Sequence, residues 1–81
     1  MFSNKLILEI IKSDLSIMPG IVKIPENKDI IIDGKEINIR VQLMSNINIG
    51  ETSKLILNQL RFKLVDKIKN KDFNLNIIVY I

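Results

Sequence analysis

Residues 36–45 read Glu-Ile-Asn-Ile-Arg-Val-Gln-Leu-Met-Ser, and this run decides the fold class. Ile37, Ile39, Val41 and Leu43 recur at period two, which places one apolar and one polar face on an extended strand. The closing residues repeat the pattern, with Phe73, Leu75, Ile77, Val79 and Ile81 on one face and Asn74, Asn76, Ile78 and Tyr80 on the other. Between these two strands lies a long stretch with helical periodicity. Ile49, Ser53, Ile56, Leu57, Leu60, Leu64 and Ile68 fall within one arc at 100° per residue, so this helix packs one face on the sheet. Asn48 is a suitable N-cap with Glu51 three residues on, as in a capping box. The helix is expected to run to about residue 69, with Lys67, Lys69 and Lys71 complementing its C-terminal dipole. A strand, a crossover helix and a second strand predict parallel pairing of the two strands.

The first half supplies the remaining elements. Ser3 can cap a first helix running to about residue 13, with an apolar stripe of Leu6, Ile7, Ile10 and Ile11 from which Leu8 is excluded. Residues 14–20 end it, and Pro19-Gly20 suits the central positions of a type II turn. Ile21 to Ile24 forms a short strand stopped by Pro25, and residues 26–29 form a loop. Ile30 to Ile32 opens another strand, and Asp33-Gly34 between apolar runs signals a hairpin into the strand at 35–45. The expected order is α-β-β-β-α-β. The class is α/β (α+β): a small two-layer sandwich with a mixed sheet of three to four strands and both helices on one face.

Eighty-one residues make a single domain with one modest core. A hydrophobic content of 47% with 26% charged residues belongs to a globular chain. Isoleucine, asparagine and lysine dominate, and alanine, histidine, cysteine and tryptophan are absent, a bias that AT-rich coding produces by itself. Without cysteine or histidine there is no zinc finger, thiol nucleophile or imidazole base. No cofactor and no metal is expected, and the chain is read as a non-enzyme. It has no apolar run of the length a membrane span requires. Glu9 interrupts what would be a signal peptide's apolar core, so a cytoplasmic location is expected.

Four features are candidates for function. Leu55 and Phe62 lie nearly opposite the core arc of the long helix, with Val65 at its edge, and form a candidate protein interface. Phe62 is expected to be exposed in an isolated monomer. Lys54, Arg61, Lys63, Lys67, Lys69 and Lys71 are the candidate anion-binding set, and with a net charge of +3 they define the alternative reading, a small basic KH-like RNA- or ribosome-binding domain. Against it, Tyr80 is the lone aromatic expected on the outer sheet face, and Asn48-Ile-Gly-Glu51 is neither a phosphate-cradling loop nor a GXXG motif. Among the acids Asp29, Asp33, Glu36 and Glu51, a turn accounts for Asp33 and a cap for Glu51.

Element order and spacing resemble the alkaline shock protein family, the envelope-stress proteins of low-GC Gram-positive bacteria. The resemblance rests on Pro19-Gly20-Ile21-Val22 after the first helix, on the Asp33-Gly34 hairpin into the strand at 36–44, and on Asn46-Ile47-Asn48-Ile49-Gly50-Glu51, which is similar to that family's Asn-Ile-Pro-Glu lead-in. It extends over nearly the whole chain. The family's Tyr-Gly before this lead-in, its proline and the glycine after its long helix are missing, and so are the charged tails of many members. The resemblance implies a non-enzymatic cytoplasmic protein linked to cell-envelope homeostasis. It also implies self-association and recruitment to the inner membrane face by a membrane-anchored partner. Leu55 and Phe62 would then serve as contact residues.

Overall fold

A computed structural model describes residues 4–81, so the Ser3 cap lies outside the described residues. The chain runs α1 (Asn4–Leu15), β1 (Ile21–Lys23), a single 3-10 turn (Asn27–Asp29), β2 (Ile30–Asp33), β3 (Glu36–Leu43), α2 (Ile49–Ile68) and β4 (Asn74–Tyr80). This is the α-β-β-β-α-β order, folded as a mixed four-stranded sheet with two helices.

β3 is the middle of the sheet. β4 runs parallel along one of its edges, from Glu36 opposite Asn74 to Gln42 opposite Tyr80. The other edge is shared by two short antiparallel strands. β2 pairs from Ile30 opposite Ile39 to Asp33 opposite Glu36, and β1 pairs Ile21 with Leu43 and Lys23 with Gln42. Between Lys23 and Ile30 the chain takes seven steps while β3 takes only three, so residues 24–29 bulge from the edge. They are not a solvated loop throughout. Pro25 and Asp29 are buried, the Glu26 N–H donates to the Asp29 carboxylate at 3.0 Å, and the Lys12 ammonium of α1 donates to the Asn27 side chain.

The hairpin turn sits one residue later than the Asp-Gly signal suggests. Asp33 pairs with Glu36, which leaves Gly34 and Lys35 as the two loop residues. Gly34 has φ +60° and Lys35 does not have a positive φ, the pattern of a type II′ turn with glycine at its first central position. Gly20, at φ +88°, serves the earlier turn, where an added Cβ would stand 3.0 Å from Ile47 Cδ1.

The inner face of β3 is the centre of the core. Ile37, Ile39, Val41 and Leu43 are 0–1% exposed, under Ile7, Ile11 and Leu15 of α1 and Ile56, Leu60 and Leu64 of α2. Both helices therefore cover the same face. α1 runs two residues beyond the expected end because Leu15 continues the spacing of Ile7 and Ile11. The stripe is also rotated from the expected one: Leu6 is exposed, whereas Leu8 packs partly on the core. α2 starts as read, with Asn48 Oδ1 accepting from the Glu51 N–H at 3.0 Å. At its end, Lys69 adopts the left-handed conformation with φ +55° and its N–H donates to the Val65 carbonyl. A position of this kind favours glycine.

Truncation of Leu60 to alanine is expected to cost about 2–4 kcal/mol in urea denaturation, because its side chain is fully enclosed. Lys69→Gly is expected to stabilise the fold by about 0.5–1 kcal/mol in the same assay, by relieving the left-handed backbone.

Candidate interaction surface

α2 is two-faced. Its inward arc carries Ile56, Leu60 and Leu64 in the core, while Leu55 is 68% and Phe62 73% exposed on the opposite side. The two are seven residues apart, two helical turns, so they share one solvent-facing ridge, with the exposed Asn58 and Gln59 on the turn between them. Val65 does not extend this ridge, because it is half-buried and packs against the core. The segment after α1 extends the apolar surface beside it. Ile17 is 73% exposed, and Met18, Pro19 and Ile47 join Leu55 and Gln59 around a depression of about 250 Å³. Ile17 gives no periodic signal, since it lies in a turn, and sequence reasoning missed it.

A second depression, of about 510 Å³, separates the two helices and is lined by Ile10, Ser13, Asp14, Ile17, Lys63 and Lys67 among others. Asp14 is 3% exposed, and neither carboxylate oxygen has a hydrogen-bond partner. Burial raises its pKa above the ordinary carboxyl range, and the charge of Lys63 offsets part of that rise. Asp14 lies seven residues after Ile7 on the α1 stripe, and that spacing is the sequence signal for its burial.

The basic residues of the candidate anion-binding set are dispersed. The Arg61 guanidinium lies 5.3 Å from the centroid of the buried Phe73 ring, Lys63 is beside Asp14, and Lys69 pairs with Asp66 at 3.7 Å. Lys54, Lys67 and Lys71 are exposed on α2 and the segment after it. Lys63 and Lys67 face the groove shared with α1, whereas Arg61 faces the β4 side, so α2 does not gather these charges into one stripe.

The outer face of the sheet is occupied by contacts among its own side chains. Glu36 accepts from Asn74 and from Asn76, and Asn76 also donates to Asn38 at 3.1 Å. Arg40 stacks over Tyr80 at 5.1 Å from the ring centroid. The remaining acids are also accounted for locally: Asp29 closes its turn, Asp33 opposes Glu36 beside the hairpin, and Glu51 lies in the first turn of α2. Among the described residues no group of three acidic, cysteine or histidine side chains could hold a metal ion, and no helix is long and apolar enough to cross a membrane.

Comparison of the chain with protein-family models, with curated proteins and with solved structures gives no match.

The stability of the fold should depend on pH through Asp14. A raised native pKa makes the native state the stronger proton binder, so this group stabilises below the unfolded-state carboxyl pKa, and the benefit is lost as pH rises through its native value. Asp14→Asn is expected to raise the thermal midpoint at neutral pH and to flatten its decline above the ordinary carboxyl range, as read by a pH series of melts.

Proposed function

We propose that the chain is a non-catalytic protein-interaction module that works by assembly, with the solvent ridge of α2 as a contact surface. The observation that carries this reading is the exposure of Phe62 and Leu55 on a helix whose opposite side sets Ile56, Leu60 and Leu64 in the core. An exposed phenylalanine aligned with an exposed leucine is the kind of residue that dominates binding energy when a partner desolvates it. The partner we favour is a second copy. Antiparallel packing of two α2 helices places Leu55 of one against Phe62 of the other, which makes the ridge complementary to itself.

The resemblance to alkaline shock proteins adds the cellular part of the proposal: a role in cell-envelope homeostasis, with assemblies held at the inner membrane face by a membrane-anchored protein. The RNA-binding alternative is less favoured, because Lys63 and Lys67 face the groove shared with α1 while Arg61 lies over Phe73, so the basic residues do not form one stripe.

Light scattering of the purified protein at low and high salt tests the reading. Association through an apolar ridge is expected to persist at high salt. Phe62→Asp should weaken it by about tenfold or more, as loss of a dominant contact does, while leaving the circular dichroism spectrum unchanged. A variant that associates like the wild type would remove the α2 surface. RNA binding that falls steeply with salt would instead favour the basic residues.

A further inference from the structure

The two edges of the sheet are built differently. The β1/β2 edge is interrupted by the bulge at 24–29, carries Pro25 and is flanked by Lys23 and Asp33, features that discourage pairing with another strand. β4 reads Asn-Leu-Asn-Ile-Ile-Val-Tyr, with no charge, proline or glycine. Among the described residues it pairs only with β3.

One hydrogen bond sets the phase of that open edge. The Asn74 N–H donates to the Lys35 carbonyl at 2.8 Å, so the backbone polar groups of Asn74, Asn76 and Ile78 point toward β3. By alternation, those of Leu75, Ile77 and Val79 point away from it, into the open edge. The core is also incompletely covered on this side. Ile77 and Val79 are half-buried, unlike the sealed inner face of β3, and so are Ile49, Leu57 and Ile68 of α2. Leu43, Ile49, Val79, Tyr80 and Ile81 surround a depression of about 320 Å³ at the end of the strand.

We propose that β4 pairs antiparallel with β4 of a second copy, about a two-fold axis at Ile77, joining two sheets into one. A copy of the strand fits this edge because the edge is uncharged and bears no like charges to oppose one another. In this register Leu75 faces Val79 and Ile77 faces its equivalent, each pair exchanging both backbone hydrogen bonds, and the half-buried inner residues of the two copies meet. On the outer face Asn76 lies opposite Ile78. A shift by one residue would turn the apolar set outward, and of the registers that keep it inward the one centred on Ile77, the middle of β4, pairs all seven residues of the strand. The inference rests on the reading of the chain as an assembly module, but it uses a surface separate from the α2 ridge. With both contacts, each copy touches two others and mass grows with concentration.

The test is sedimentation of the wild type, Ile78→Lys, Phe62→Asp and the double variant, with a disulfide trap. Ile78 is exposed on the outer face, so its substitution spares the monomer, and a lysine there guards the edge. Each single variant is expected to lower the mass to dimers, and the double variant to monomers. In an otherwise cysteine-free chain, Asn76→Cys with Ile78→Cys should give a covalent dimer under mild oxidation. These non-hydrogen-bonded positions stand about 4.5 Å apart between Cα atoms, within disulfide reach. Association that depends on Phe62 alone, with no covalent dimer, would overturn β4 pairing and leave the α2 ridge standing. Dependence on Ile78 alone, with the trap formed, would do the reverse. A monomer at every concentration would overturn both.

Discussion

Burial of β3 is the constraint on which the rest of the molecule depends. Its inner residues Ile37, Ile39, Val41 and Leu43 are sealed from water, which requires a helical layer above them and a paired strand on each side. A short hairpin supplies one side. The other side is parallel, and parallel strands cannot be joined by a tight turn. The chain must return from one end of β3 to the other, and α2 is the return path. At 20 residues it is about 30 Å long, against roughly 26 Å for the eight residues of β3, so helix and strand are matched in length.

That single crossover accounts for the two surfaces left without partners. A helix with one sealed face has its far side in solvent, and here that side carries leucine and phenylalanine where polar residues would suffice. The strand that the crossover brings in lies outside β3 and, among the described residues, pairs with no other strand. β4 occupies that position with its inner residues half covered. By contrast, the polar groups on the outer sheet face bond or stack with one another: Glu36 with Asn74 and Asn76, Arg40 with Tyr80.

Much of this was legible in the residues. The alternation at 37–43 and 75–81, the Asn48 cap and the apolar arc of α2 each depend on local geometry, and each is found where local geometry puts it. The exposure of Phe62 follows from the same helical arithmetic. Val65, at the margin of that arc, could be assigned only once its packing partners were known. Leu6 and Leu8 exchange their expected roles because the direction in which α1 leans on α2 decides which side of its stripe is covered. The hairpin turn moved by a residue because the pairing of Asp33 with Glu36, a property of two strands together, chose Gly34-Lys35 over Asp33-Gly34.

The sequence by itself determined the order of the main helices and strands and which face of β3 and of α2 is apolar, since side-chain spacing and capping act between residues near in the chain. Only the tertiary structure decided that β1 and β2 share one edge of β3, that Pro25 and Asp29 are buried in the bulge between them, and that Asp14 lies unpaired between two helices. It also decided that, among the described residues, β4 pairs along one side only. These outcomes depend on which distant segment lies alongside, which the spacing of residues within one segment does not specify.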